Sequence, residues 1–245
     1  MLAGLRTVRG VMRSLGVYYG HRKHAAAMDR LYREFVKPRD LVFDVGAHVG
    51  DRIAAFRRLG ARVVAVEPQP ALVFTLKALY GRSSDVVVEA KAVGRNPGTI
   101  SMMINTANPT ISTASRDFVR AADGAAGWEG QVWDRSIEVP VTTLDTLIGA
   151  HGVPSFIKID VEGFEEEVLA GLTRPVTALS FEFTTIQREI ARACIERCVA
   201  LGLTRFNSAV GESQELGGWR TALAMTRWLD ELPHAANSGD VYALA

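Results

Sequence analysis

The sequence predicts an α/β protein built on a Rossmann-like, doubly wound and mostly parallel sheet. Three observations predict it. From residue 41 onward, short β-branched runs alternate with helical stripes, the mark of a parallel sheet covered by helices. The first run ends in a glycine-containing turn that opens a helix. The second ends on an acid, Glu67, followed by Pro68.

The elements follow in order. Leu5, Val8, Met12 and Leu15 share one helical stripe, with Arg6, Arg9 and Arg13 elsewhere. Such a helix suits either an acidic membrane surface or the outside of a folded domain. Packing on the domain is expected; membrane-surface contact is not favoured. The segment lacks the continuous apolar stretch of a signal peptide. Residues 1–39 thus read as an N-terminal helical segment packed on a domain of residues 40–245. Met28, Leu31, Tyr32, Phe35 and Val36 predict a second helix, ended by Lys37-Pro38-Arg39-Asp40.

Residues 41–45 read as a buried strand, followed by a helix carrying Ile53, Phe56 and Leu59. Residues 62–66 form the next strand, then a helix with Leu72, Leu76 and Leu79, then a strand over 86–90. This βαβαβ unit is the mononucleotide-binding half of a doubly wound sheet. Residues 99–104 and 136–141 predict an inserted β segment. The Gly/Ala-rich stretch 121–130 between them reads as an exposed or mobile loop. The α/β rhythm resumes with a short helix holding Leu144, Leu147 and Ile148. A strand over 155–159, a helix over 164–170 closed by Gly171 and a strand over 176–183 follow. Ile186, Ile190, Cys194 and Cys198 mark a longer helix, before strands near 203–207 and 240–244.

Composition narrows the function classes. A chain of 245 residues with 48% hydrophobic and 22% charged residues fits one large soluble domain. A net charge of +1 argues against a nucleic-acid binder. No apolar run approaches the ~20 residues of a membrane span. Cys194 and Cys198 lie four residues apart on one helix face, as small buried hydrophobes. No metal-ligand spacing occurs, so a reduced, cytoplasmic protein is expected.

The most informative segment runs from Leu41 through Asp44, Gly46, Ala47, His48 and Gly50 to Asp51. Gly46 lets the backbone bend, and Gly50 is expected to let a ligand approach the helix start. A dinucleotide site would want G-x-G-x-x-G facing a pyrophosphate. The spacing here is G-x-x-x-G, with Asp44 two residues ahead. An acid there opposes a pyrophosphate and suits a ligand bearing an ammonium group. S-adenosylmethionine carries both an amino group and a sulfonium, and the charge logic favours it as cofactor. Glu67 can accept both ribose hydroxyl hydrogens of any adenosine cofactor, while Pro68 turns the chain away. Ala92 and Val93, within Glu89–Gly94, are expected to flank the adenine. His48 reads as an orienting or turn residue rather than a base. The competing reading makes the glycines a tight turn and Glu67 a solvated carboxylate.

These segments resemble the FkbM-type methyltransferase family. The matching motifs are FDVGAHVGD (43–51), VVAVEPQP (63–70), AVG (92–94), TLDTLI (143–148), IKIDVEGFEEEVLAGL (157–172) and SGDVYAL (238–244). The likeness covers roughly residues 40–245, and IDVEG is its most specific part. It implies the methyltransferase form of the fold: a seven-stranded sheet with the inserted β segment and N-terminal helices. It also implies S-adenosylmethionine, and mostly O-methylation of sugars or hydroxylated natural products. Residues 105–135 lie outside the matched motifs.

Ligands in open α/β sheets bind outside the carboxyl ends of strands, where strand order reverses. Asp160 and Glu162 are expected there, on one side if strand geometry persists. Asp160 is the candidate general base, with Lys158 or Glu162 orienting the acceptor or tuning its charge. Alternatively, Asp160 and Glu162 cap the following helix. Asp160, Glu162 and Glu182 are all oxygen donors; whether they converge is not readable from order, and no metal is expected. Asn105, Asn108, residues 110–115, Trp128, Trp133 and Trp219 are candidates for a small hydroxylated acceptor, with turn and core roles equally open. Tyr18, Tyr19, His21, Arg22 and His24 could close over the cofactor, though a solvated arm is the expectation. The alternatives are a nicotinamide-dependent oxidoreductase, whose glycine turn is missing, and a non-catalytic nucleotide-fold scaffold. Oligomeric state is not readable.

Overall fold

A computed structural model describes residues 2–19 and 22–245, without the side chains of residues 2–5 and 22. Helices α1 (Leu2–Tyr19) and α2 (Arg22–Tyr32) precede β1 (Leu41–Val45), α3 (Asp51–Arg58), β2 (Arg62–Val66), α4 (Pro70–Tyr80) and β3 (Val86–Glu89). The middle holds β4 (Ala92–Val93), β5 (Gly98–Ile104), α5 (Arg116–Ala122), β6 (Arg135–Thr142) and α6 (Leu144–His151). Then come β7 (Phe156–Ile159), α7 (Glu165–Ala170), β8 (Ala178–Thr184), α8 (Arg188–Ala200), β9 (Arg205–Val210), α9 (Ala222–Glu231) and β10 (Ser238–Leu244).

Seven strands form one sheet in the order β3-β2-β1-β7-β8-β10-β9. Only β10 runs against its neighbours. The expected mostly parallel, seven-stranded sheet is therefore present, with β4, β6 and β5 as a separate three-stranded insertion. Strand order reverses between β1 and β7, which places the binding crevice at their carboxyl ends.

Side-chain alternation explains how this sheet is covered. Phe43, Val45, Ile157 and Ile159 point into a core shared with Leu169, Cys194, Cys198 and Leu229. Val42 and Phe156 point oppositely, into a core with Met28, Tyr32, Phe35 and Phe56. Phe35 stacks on Phe156 and on Tyr242, each at 5.2 Å. The helix predicted around Met28 thus shares a core with the sheet. Burial of such side chains is worth about 1.5–3 kcal/mol each.

Three expectations change. Val8 and Met12 are exposed, and α1 instead buries Gly10, Val11 and Ser14. The packed face lies a step off the apolar stripe because Gly10, which has no side chain, makes the close contact: a Cβ there would meet Pro109 at 2.8 Å. His21 and the side chains of Leu5 and Arg22 lie outside what the structure describes. The loop over 121–130 is exposed over most of its length, as expected; what changes is its anchoring, because Trp128 is buried edge-on against Phe118 at 5.0 Å. Tyr18 and Tyr19 belong to α1 rather than to a solvated arm.

Candidate active site

Two adjoining cavities open at the carboxyl ends of β1, β2 and β7. The first is lined by Val45, Gly46, Glu67, Pro68, Gln69, Ala92, Val93, Met102 and Phe164 among others. It is mainly apolar, with Glu67 on one wall and Asp160 and Glu162 where it meets the second. The second is polar and holds Asp44, Ala47, Asp51, Arg52, Lys158 and Glu182. Gly46, His48, Thr110, Asp160 and Glu162 line both.

Gly46 has φ +84°, and a Cβ built on it would lie 1.8 Å from the Asp160 carbonyl oxygen. Only glycine allows the β1 turn to press against the β7 loop this closely. The amide of Gly46 donates to the Val66 carbonyl, and the Asp160 amide donates to that of Val45. The turn after β1 is thereby tied to both neighbouring strands. Gly50 does other work. Its amide donates to Ala47, and a Cβ would strike Leu76 and Tyr80 at 2.8 Å, so its missing side chain seats α4; it lines neither cavity.

Glu67 is buried at the end of β2. Its Oε2 accepts from the His48 amide at 3.0 Å and its Oε1 from the Gln69 amide at 2.8 Å. Burial raises its carboxyl to about 7, against these two donors. His48 adopts φ +47°, and Tyr18 lies edge-on against its ring at 5.5 Å. Its Nε2 lies 3.3 Å from the Thr110 hydroxyl. Burial pushes the imidazole down to about 4, so it stays neutral, in line with a turn residue.

Asp44 faces the opposite side of β1 from Phe43, into the second cavity. It is 1% exposed, and its Oδ2 has no hydrogen-bond partner. Burial, then the nearby Asp51, raises its carboxyl to about 7. Asp51 itself pairs with Arg52 at 2.7 Å at the start of α3. A buried carboxylate oxygen without a donor is costly unless a ligand supplies one.

The β7 loop brings the remaining charges together. Lys158 is fully buried, with Nζ 2.8 Å from Asp240 Oδ1 and 3.1 Å from Asp160 Oδ2. Burial opposes its charge, but the two carboxylates outweigh this and hold the ammonium well above its ordinary range. Lys158 is therefore engaged by Asp240 and Asp160 together. Asp160 stays acidic because Lys158 and Arg52 overcome its burial.

Strand geometry ends at Ile159, and Glu162 sits at φ +57°. The alternation argument fails there, yet the side chains still converge. One oxygen from each of Asp160, Glu162 and Glu182 lies within 4.8 Å of the others. Neither Asp160 nor Glu162 caps α7, whose N-cap is Phe164.

The expected acceptor residues divide. Thr110 and Ser112 line the cavities. Asn105 is spent on its own loop, accepting from the amides of Ala107 and Asn108. Trp128 borders the second cavity with its indole N–H unpartnered. Trp133 donates to the Ile111 carbonyl, and Trp219 packs on Phe35 and under Arg205. Sequence reasoning missed Phe164, Met102, Gln69, Arg52 and Asp240; a buried lysine in an apolar strand was the available hint that an unseen carboxylate faces it.

A mostly parallel sheet whose order reverses at β1 and β7, with an apolar groove and a carboxylate-lined cavity at that point, defines a Rossmann-like fold with its crevice at the switch point. The family model for the methyltransferase FkbM domain matches residues 44–222, and the chain belongs to that family. The hexuronic acid methyltransferase AglP of Haloferax volcanii is 26% identical over 187 residues, covering 73% of this chain and 71% of its own. A TehB-like SAM-dependent methyltransferase of Corynebacterium glutamicum superposes with TM-score 0.46 and 11% identity, covering 89% of this chain and 86% of that one. A precorrin-6y C5,15-methyltransferase of Geobacter metallireducens gives 0.45 and 10%, covering 90% and 88%. The fold assignment rests on the strand order rather than on these two.

Proposed function

We propose that the chain is an S-adenosylmethionine-dependent O-methyltransferase acting on a hydroxyl of a small molecule, a sugar-like acceptor foremost. One observation carries the reading. Two buried carboxylates, Asp44 and Glu67, stand on adjacent strand ends on either side of the Gly46 turn, and Asp44 has an oxygen with no donor.

The pair fits this cofactor and opposes a pyrophosphate. Glu67 retains lone pairs for ribose hydroxyls beside its two amide donors. Ala92, Val93, Met102 and Phe164 offer small or apolar walls for an adenine. Asp44 would take the ammonium of the amino-acid tail, a charge-assisted bond. When bound, S-adenosylmethionine supplies an electrophilic methyl group on a sulfonium.

The protein's part is alignment and proton removal. Near-attack positioning can supply about 7–11 kcal/mol, and a placed carboxylate about 10²–10⁴-fold. Asp160 and Glu162 border both cavities, where cofactor and acceptor would meet. Asp160 is the base in this reading, held ionised by Lys158, with Glu162 orienting the acceptor. The name of the Haloferax relative, a hexuronic acid methyltransferase, supports a hydroxylated sugar acid as a first acceptor to try.

Calorimetric titration with S-adenosylhomocysteine and with NADH tests the cofactor. Binding of NADH alone overturns the reading in favour of an oxidoreductase. Mass spectrometry then follows the gain of one CH₂ on hydroxylated acceptors, hexuronates among them. Cofactor binding without transfer to any acceptor points to the scaffold.

A further inference from the structure

We propose that Asp160, Glu162 and Glu182 hold a hard divalent cation, of the magnesium or manganese kind, at the acceptor end of the site. The three carboxylates come from the end of β7, the loop behind it and the middle of β8. Oxygens no more than 4.8 Å apart leave a point within about 2.8 Å of all three, close to the ~2.0–2.6 Å of magnesium and calcium ligation. An all-oxygen set selects such ions over those that prefer nitrogen or sulfur.

Independent observations point to a ligand here. Glu162 is only 6% exposed. The Oε2 of Glu182 is fully buried and has no hydrogen-bond partner among the described residues. Both side chains border the polar cavity. Buried carboxylates without donors are found where a cation or a proton completes them.

Charge in the cavity leads the same way. Six carboxylates line it, against Lys158 and Arg52. Lys158 is shared between Asp240 and Asp160, and Arg52 between Asp51 and Glu212. Asp44 is matched by the ammonium of the cofactor in the reading above. Glu162, Glu182 and the second oxygen of Asp160 are left without a countercharge. The amino-acid tail of the cofactor adds little, because its carboxylate offsets one of its two positive charges.

Open cavity on the acceptor side leaves coordination positions for two neighbouring acceptor oxygens, as in a vicinal diol or a hydroxy acid. This acceptor role rests on the methyltransferase reading; cation binding does not. It concerns where the acceptor is held, whichever carboxylate takes the proton.

The test is a Mn²⁺ titration of the full chain by electron paramagnetic resonance, with and without S-adenosylhomocysteine. One Mn²⁺ per chain, displaced by Mg²⁺, is expected. Glu182→Gln and Glu162→Gln should each weaken it about tenfold or more, since affinity follows the charge of the ligand set. Glu182→Gln should also leave the melting temperature of the metal-free protein unchanged or higher, because like charge is removed. A merely structural Glu182 would lower it. Absence of stoichiometric Mn²⁺ in the wild-type chain under both conditions overturns the proposal, as does binding that survives both substitutions. If Mn²⁺ binds as expected but S-adenosylhomocysteine does not, the cation site stands and the methyltransferase reading falls. EDTA should abolish any transfer measured, and Mg²⁺ should restore it; transfer indifferent to EDTA overturns the acceptor role.

Discussion

The carbonyl oxygen of Asp160 occupies the space where a side chain on Gly46 would begin, 1.8 Å from that Cβ position. The turn after β1 and the loop after β7 are thus one packing unit. Gly46→Ala must displace the β7 loop and also place alanine at φ +84°. The backbone strain alone is about 1–2 kcal/mol. Expected are a lower melting temperature and loss of S-adenosylhomocysteine binding, measured by calorimetry. A variant with unchanged affinity would show that the contact does not shape the site.

Glu67 should make cofactor affinity depend on pH. Its carboxyl titrates near 7 in the free protein, raised from 4.5 by burial. Below about 7 it carries a proton that a ribose hydroxyl must displace, so affinity rises as pH climbs through that value and then levels. The same raised value means that Glu67 makes the free protein less stable as pH rises from about 4.5 to 7. Glu67→Gln should weaken binding by about 1.5–3 kcal/mol at pH 8 and flatten this part of the profile. An identical profile in the variant rejects the ribose role.

Asp44 and Glu67 can be separated by ligand. Asp44→Asn should reduce affinity for S-adenosylhomocysteine at pH 8 yet leave adenosine affinity unchanged. Glu67→Gln should reduce both. Losing adenosine affinity in Asp44→Asn would move Asp44 away from the amino-acid tail.

Asp160→Asn keeps the shape of the loop but removes a charge from the junction of the two cavities. Transfer should slow by about 10²–10⁴-fold while cofactor affinity changes little. Single-turnover rates and calorimetry on one preparation check both halves, and undiminished transfer removes Asp160 as the base.

Lys158→Met leaves Asp240 and Asp160 facing each other without their shared ammonium. Breaking a buried pair in this way costs about 3–5 kcal/mol. Denaturant unfolding measures it, and a near-neutral result would mean that water or a proton already balances the pair.

Much of this was legible in the residues. The rhythm of strands and helices, Gly46, Asp44 and Glu67 all act locally, within one strand and its turn, so periodicity and charge sign reveal them. Convergence is different. Glu162 lies in the loop after β7 and Glu182 within β8, and the left-handed backbone at Glu162 breaks the alternation that would have related it to Asp160. Asp240 reaches Lys158 across 82 positions of chain. The α1 stripe misled because close helix contact at Gly10 is made by a residue with no side chain to count. Trp128 was ambiguous because a single indole both fills a core and borders a cavity.

The one reversed strand of the sheet, β10, couples completion of the sheet to the charge balance beside β7. Because it runs backwards, its first residues arrive at the carboxyl ends of the others, and Asp240 meets Lys158 there. Until β10 docks, the lysine on β7 lacks one of its two carboxylates, so seating this strand and balancing the buried charge are one event. A change that loosens β10 should therefore be felt beside β7, far away in sequence though it lies.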